Sequence, residues 1–182
     1  MIKAILFDAY GTLFDVYSVS ARAEQLFPGQ GMALAAMWRD RQIEYTRLVS
    51  LSDPHTAGGT RHYLPFWDLT RRALRYCAKR MGLNLGKEEE AALMAEYACL
   101  SAFPENLGVL RELRALGMPT GILSNGNAEM LDVVVKSAGM GELFDHLLSV
   151  DAVRRFKTAP ESYQLGPDAF GVPAREILLI RP

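Results

Sequence analysis

The fold is decided by the opening stretch, Met1-Ile-Lys-Ala-Ile-Leu-Phe-Asp-Ala-Tyr-Gly-Thr-Leu-Phe14. Its apolar run over 4–7 predicts a buried strand, and this strand ends at the carboxylate of Asp8. Gly11 and Thr12 then predict a tight turn. Open α/β sheets bind ligands at the carboxyl ends of their strands, so Asp8 is a candidate functional residue. The alternative is an aspartate that only caps its own loop.

A long helical block follows this first strand. Between 15 and 100, apolar residues recur at helical spacing, and no strand pattern occurs. The predicted helices cover 16–27, 31–51, 63–81 and 87–99. A loop is predicted over 52–60, where the sequence is Ser-Asp-Pro-His-Thr-Ala-Gly-Gly-Thr.

Arg39 lies on a helix face shared with Ala35, Ala36 and Ile43, by the three-and-four spacing rule. An arginine on such a face either extends its charged end to solvent or reaches into a cleft. The spacing alone leaves both alternatives open.

From residue 106 the pattern changes to alternating helices and strands. The predicted helices cover 107–116, 128–138 and 160–170, the last opened by a capping box over 158–161; the strands cover 119–123, 146–150 and 177–180. This alternation predicts right-handed crossovers and a parallel sheet. The fold class is therefore α/β, a Rossmann-like parallel sheet with an inserted α-helical cap. The core domain is assigned to 1–14 and 104–182, and the cap domain to 15–103.

The composition is typical of a soluble globular protein, with 49% hydrophobic and 23% charged residues and a net charge of −1. The basic residues are dispersed, which argues against a nucleic-acid partner. Apolar runs of membrane-spanning length are absent, and the N-terminal stretch shows no secretory signal pattern, so a cytoplasmic location is expected. Cys77 and Cys99 are predicted to be small core residues. The histidines at 55, 62 and 146 lack metal-ligand spacing.

Three loops are predicted to leave the carboxyl ends of parallel strands, over 8–12, 124–127 and 151–157. They would present Asp8, Ser124, Asn125 and Lys157 at one edge of the sheet. A lysine beside Asp8 would keep that carboxylate ionised and oriented, as a nucleophilic carboxylate requires. The alternatives are an ordinary helix cap at 124–126 and a solvated lysine at 157.

These residues together resemble the L-2-haloacid dehalogenases of the haloacid dehalogenase superfamily. The resemblance covers residues 2 to about 180, including the inserted helices. It is carried by an ordered set of motifs: Asp8-Ala-Tyr-Gly-Thr-Leu-Phe-Asp15, Trp38-Arg39, Leu123-Ser-Asn-Gly126, and Lys157 with Tyr163.

Tyr10 separates this chain from the phosphatases of the superfamily. Those enzymes resemble Asp-x-Asp-Gly-Thr, in which the second Asp serves as the acid/base beside a Mg²⁺. A tyrosine at that position argues against phosphoryl transfer. It suits a halide leaving group, which needs stabilisation but no proton.

The resemblance implies hydrolytic dehalogenation of short L-2-haloalkanoic acids to D-2-hydroxy acids through an aspartyl ester. It implies Asp8 as nucleophile, Arg39 with Tyr10 as the halide receptor, and Lys157 as the residue that orients Asp8. The implied catalytic residues are Asp8, Arg39, Lys157, Thr12, Ser124 and Asn125. The implied substrate-binding residues are Tyr10, Ile43, Phe66, Ser124, Asn125 and Tyr163. No metal or organic cofactor is implied, and a homodimer formed through the cap is a further expectation.

The sequence departs from the family pattern in two places. The segment 52–62 is longer, which predicts a different pocket mouth. After the strand at 177–180 the family continues with a Ser-Ser-Asn-x-Trp-Asp type segment that helps to activate water, whereas here Arg181-Pro182 follows. The alternative functions are a shortened remnant that performs one turnover or none, and a related hydrolase acting on fluoroacetate or a strained-ring acid.

Overall fold

The computed structural model describes residues 1–52 and 61–182, so the greater part of the predicted loop over 52–60, with His55, lies outside the described residues. Its centre is a four-stranded parallel sheet in the order β3-β2-β1-β4. The strands are β1 (Ala4–Phe7), β2 (Thr120–Ser124), β3 (His146–Ser149) and β4 (Ile177–Ile180). The predicted α/β class with a parallel sheet is confirmed.

Helices flank the sheet and fill the interval between β1 and β2. They are α1 (Ser20–Leu26), α2 (Gly31–Ser52), α3 (Phe66–Met81), α4 (Lys87–Ala98), α5 (Asn106–Ala115), α6 (Ala128–Ser137) and α7 (Pro160–Phe170). Single 3₁₀ turns cover Val150–Ala152 and Ala174–Glu176. None of the helices in the described ranges is both long and apolar enough to span a membrane.

Two predicted helices begin later than expected. The first does so because Asp15 organises a turn: its carboxylate accepts from the Tyr17 amide at 2.9 Å, and its carbonyl accepts from the Ser18 hydroxyl at 2.8 Å. The third begins at Phe66, since Pro65 disfavours helical backbone at the residue before it.

The burial of each strand follows its position in the sheet. All residues of the central strands β1 and β2 are buried, whereas the edge strands β3 and β4 alternate between more and less buried residues. Strands covered on both faces need a continuous apolar run, which the opening stretch of the sequence supplies.

The chain passes between the sheet and the helical block at two adjacent points. Phe14 pairs antiparallel with Ala102, the Asp15 amide donates to the Ser101 carbonyl at 2.8 Å, and the Phe103 amide donates to the Leu13 carbonyl at 3.1 Å. The helical block α1–α4 is thus joined to the rest of the molecule by two neighbouring chain segments, one at 13–15 and one at 101–103.

Two local predictions are wrong. Cys99 is exposed, because α4 ends at Ala98 and turns it away from the core. Cys77 is buried as predicted, and burial raises the pKa of its thiol to about 11. The predicted capping box is absent: α7 has Ala159 at its N-cap without a side-chain hydrogen bond, and Pro160 occupies its first turn.

Candidate active site

Asp8 directly follows β1 at the carboxyl edge of the sheet. Its backbone amide donates to the carbonyl of Ile180 at 2.8 Å, which extends the β1–β4 pairing by one residue. Gly11 then adopts a φ of +102°, a conformation that side chains other than glycine rarely allow. This turn directs the chain away from the sheet and leaves the Asp8 carboxylate at the edge.

Lys157 meets Asp8 from a loop far along the chain. Its ammonium donates to the Asp8 carboxylate and, at 2.8 Å, to the Leu123 carbonyl. Both side chains of the pair are largely buried, at 14% and 16% exposed. Burial lowers the pKa of Lys157 against the opposing effect of Asp8, and the positive charges of Arg39 and Arg181 lower it further. The solvated alternative for Lys157 is therefore excluded.

Arg39 reaches from α2 into the same region. Its guanidinium donates to the backbone carbonyl of Tyr10 at 2.8 Å. It thus reaches into the cleft, the second of the alternatives left open by the helical spacing. The Tyr10 ring packs against those of Phe66 and Tyr97, with centroids 5.8 and 5.9 Å away.

The hydroxyl of Tyr10 is buried and has no hydrogen-bond partner among the described residues. Desolvation by burial raises its pKa well above the ordinary value, reinforced by Tyr97 and Asp8 and opposed by Arg39. Tyr10 therefore stays protonated and offers an uncommitted O–H donor.

Ser124 and Asn125 are held by the loop that follows β2. The Ser124 oxygen accepts from the Gly126 amide at 3.0 Å, and the Asn125 side-chain oxygen accepts from the Lys157 amide at 2.8 Å. These bonds occupy acceptor positions, so the Ser124 hydroxyl and the Asn125 amide group keep donors that a ligand can use.

These side chains line one cavity of about 360 Å³. Of the predicted site residues, it is lined by Asp8, Tyr10, Arg39, Ile43, Phe66, Ser124, Asn125 and Lys157. Thr12 and Tyr163 are not among its lining residues. Thr12 lies in the turn after Asp8, with its buried hydroxyl unpartnered among the described residues, and Tyr163 lies on α7. Within 1–52 and 61–182, no three His, Cys, Asp or Glu side chains are grouped to hold a metal ion.

The cavity also has lining residues that the sequence motifs do not include. They are Thr46, Arg47, Ser50, Leu51 and Thr158. The first three continue the face of α2 that carries Arg39 and Ile43, at spacings of three and four residues, so extending that pattern along the helix would have found them.

Comparison with known proteins gives a consistent family. A sequence model of the family described as haloacid dehalogenase-like hydrolase matches residues 2–180. The (S)-2-haloacid dehalogenase of Pseudomonas sp. (strain YL) is 41% identical over 179 residues, which are 98% of this chain and 74% of that protein.

Solved structures agree with these sequence matches. The L-2-haloacid dehalogenase RSc1362 superposes with a TM-score of 0.93 at 66% identity, over 98% of this chain and 77% of that one. The L-2-haloacid dehalogenase of Xanthobacter autotrophicus, with chloropropionic acid covalently bound, superposes with a TM-score of 0.88 at 39% identity. That match covers 98% of this chain and 69% of that one.

Proposed function

The chain belongs to the haloacid dehalogenase-like hydrolases and, within them, to the (S)-2-haloacid dehalogenases, and from this premise we propose that it hydrolyses the carbon–halide bond of short L-2-haloalkanoic acids. The products are the D-2-hydroxy acid and a halide ion. The observation that carries the proposal is the pairing of Asp8 with Lys157 in a cavity that also holds the Arg39 guanidinium.

Asp8 is the nucleophile in this proposal. One of its oxygens attacks C2 of the substrate from the side opposite the halide, so the C–O bond forms as the carbon–halide bond breaks and the centre inverts. Lys157 donates to an oxygen of the Asp8 carboxylate and so fixes the orientation of that group. The second bond of Lys157, to the Leu123 carbonyl, fixes the position of the ammonium itself. A nucleophile positioned in this way has little conformational entropy left to lose when it reaches the transition state.

Arg39 and Tyr10 receive the departing halide. The guanidinium uses one N–H on the Tyr10 carbonyl and keeps others for an anion, and the uncommitted Tyr10 hydroxyl adds a neutral donor. Charge that develops on the halide is thus met by donors already in place.

The substrate carboxylate binds to the free donors of Ser124 and Asn125, while Ile43 and Phe66 line the space for the short alkyl chain. Water then attacks the carbonyl carbon of the Asp8 ester, which releases the hydroxy acid and a proton and restores the carboxylate. The oxygen that remains on Asp8 comes from water, and the hydroxyl of the product comes from Asp8.

The proposal includes a domain division and a location. The helical block 15–103 acts as a cap over the core formed by 1–14 and 104–182, which is supported by the two adjacent chain crossings at Phe14 and Ala102. Unpaired Cys77 and Cys99 are consistent with a cytoplasmic enzyme. Exposed apolar side chains on α2 and α3, such as Leu48 and Tyr76, support pairing of two copies through the cap.

The test combines a halide assay with intact mass after mixing the protein with excess L-2-chloropropionate. We expect many equivalents of chloride with D-lactate as product, and little release from the D-isomer. One turnover in ¹⁸O-labelled water should place the label on Asp8. Chloride release limited to one equivalent, with a stable adduct on Asp8, would support the single-turnover alternative instead. Absence of chloride release would overturn the proposal.

A further inference from the structure

A buried polar cluster lies behind Arg39 and joins three helices. Its members are Gln42 of α2, Thr70 of α3 and Tyr97 of α4, which are 0%, 0% and 2% exposed. The Gln42 amide donates to the Thr70 hydroxyl at 3.3 Å, and the Tyr97 hydroxyl donates to the Gln42 side-chain oxygen at 3.2 Å. Such a buried network is costly unless its members are satisfied, so it specifies one arrangement of the helices.

The direction of these bonds determines what the Tyr97 oxygen can do. Because its proton is committed to Gln42, its lone pairs remain to accept a bond, and the Arg39 guanidinium is near enough to oppose the rise in the Tyr97 pKa that burial causes. The same ring stacks on Tyr10 at 5.9 Å with planes 18° apart, and it packs against Trp38 at 5.1 Å. Tyr97 therefore packs against one of the groups to which the halide is assigned, Tyr10, and lies near the other, Arg39.

We infer that Tyr97 is a positioning residue: its hydroxyl and ring hold the Arg39 guanidinium and the Tyr10 ring in the geometry that receives the departing halide. The inference rests on the halide-receptor role proposed above for Arg39 and Tyr10. The family motifs that identify the site do not include Tyr97, which lies on α4, whereas Arg39 lies on α2 and Tyr10 in the turn after β1.

The physical need for such a residue follows from the arginine side chain. A guanidinium at the end of a long, flexible chain stabilises a transition state only if it is already in place, since moving it during the reaction would consume the gain. The Tyr10 carbonyl anchors one of its nitrogens at 2.8 Å. Tyr97 supplies a second restraint from α4, and its bond to the Gln42 side-chain oxygen orients its hydroxyl.

The test is Tyr97→Phe, which keeps the stacked ring and removes the hydroxyl. We expect the single-turnover rate of chloride release from L-2-chloropropionate to fall about tenfold, the factor that corresponds to about 1.4 kcal/mol of barrier. Substrate KM should change by less than about twofold, because the substrate carboxylate is bound elsewhere. With L-2-bromopropionate the loss should be about threefold, since a better leaving group depends less on stabilisation.

The matched control is Thr70→Val. It removes a buried hydrogen bond of the same cluster, and so loosens the helices comparably, but leaves the Tyr97 hydroxyl in place. We expect a similar loss of thermal stability in the two variants and an altered bromide-to-chloride rate ratio in Tyr97→Phe alone. Equal ratios in Tyr97→Phe, Thr70→Val and the unchanged protein would overturn the inference.

A second measurement is independent of turnover. The chain has two tryptophans, so in a Trp67→Phe background the fluorescence reports Trp38 alone. Trp38 packs against Tyr97, so its fluorescence can follow a bromide titration. Tyr97→Phe should weaken bromide binding several-fold, and Thr70→Val should not. If Tyr97→Phe weakens bromide binding in a protein that shows no turnover, this inference holds although the proposed function fails. If Tyr97→Phe leaves bromide binding unchanged, the inference is overturned.

Discussion

At the scale of single residues, Lys157 is a largely buried cation whose charge state depends on its surroundings. Burial, Arg39 and Arg181 all favour the neutral amine, and the contact with Asp8 only partly offsets them. The pKa of Lys157 in the folded protein therefore lies below that of the unfolded chain, and deprotonation removes the cation that orients the nucleophile.

We predict from this an alkaline limb in the activity of the enzyme. As the pH rises through the lowered pKa of Lys157, kcat/KM should fall, at a lower pH than a solvent-exposed lysine would give. The effect on stability has the opposite sign. Between the lowered pKa of Lys157 in the folded protein and its ordinary pKa in the unfolded chain, the unfolded chain binds more protons than the folded one. The contribution of Lys157 to the free energy of unfolding therefore rises with pH over this range. A kcat/KM profile recorded beside the circular dichroism at each pH separates the two effects. A limb at or above the ordinary lysine position would contradict the prediction.

Asp8 permits a sharper test. Asp8→Asn removes the anionic nucleophile while keeping the side-chain shape, and we expect halide release to fall by about a thousandfold or more. Asp15→Asn is the matched control, because Asp15 belongs to the same motif but only organises the turn before α1. Its halide release should stay within about twofold of the unchanged protein. Comparable rates in the two variants would remove Asp8 from its role.

At the scale of elements, the contact of α7 with β1 depends on a missing side chain. A Cβ added at Gly166 would lie 2.5 Å from Leu6 Cδ1 and 3.7 Å from Ile177 Cδ1. Glycine at 166 therefore lets α7 lie against Leu6 of the central strand, and any larger residue requires Leu6 or the helix to shift. Gly108 of α5 is also helical, but a Cβ there would meet nothing within 4 Å.

We predict opposite effects of alanine at these two glycines. Gly166→Ala should lower the free energy of unfolding by about 1–3 kcal/mol, through overpacking against Leu6. Gly108→Ala should raise it by about 0.5–1 kcal/mol, because alanine loses less backbone entropy in a helix. Urea unfolding of both variants at unchanged m-value measures the difference. If the two variants have equal free energies of unfolding, α7 and Leu6 accommodate the added methyl group without loss of stability, and the prediction is wrong.

At the scale of the whole molecule, charge is distributed unevenly. The chain carries a net charge of −1, yet among the described residues the cavity is lined by Arg39, Arg47 and Lys157 against the one carboxylate of Asp8. Arg47 is exposed and forms no hydrogen bond or ion pair with the described parts of the chain. A cleft lined by one sign of charge raises the local concentration of a substrate of the opposite sign.

We therefore predict a salt-dependent role for Arg47. Arg47→Gln should lower kcat/KM for an anionic haloacid about three- to tenfold at low ionic strength, with kcat nearly unchanged, and the difference should vanish at high salt because exposed charges are screened. Arg80→Gln makes the same change of charge on an exposed residue of α3 outside the cavity lining and serves as control. Equal salt dependence in the two variants would show that the charge at 47 has no special position.

The sequence by itself determined the order of the elements and the edge of the sheet where chemistry could occur. The apolar run ending at Asp8, the strand ending at Ser124 and the alternation after residue 106 are local patterns, and local patterns follow from side-chain periodicity. The resemblance to a known family added the remaining site residues, most of which the structure brings to one cavity.

Only the tertiary structure decided which of the open alternatives applies to each residue. Periodicity shows that one face of α2 is covered but not by what, so it could not choose between a solvated Arg39 and one that contacts the Tyr10 carbonyl. Nor could it show that Cys99 is exposed, or that Tyr97 donates to Gln42 and stacks on Tyr10. These outcomes depend on contacts between helices distant in the chain, and the packing of helices, rather than any local pattern, sets such contacts.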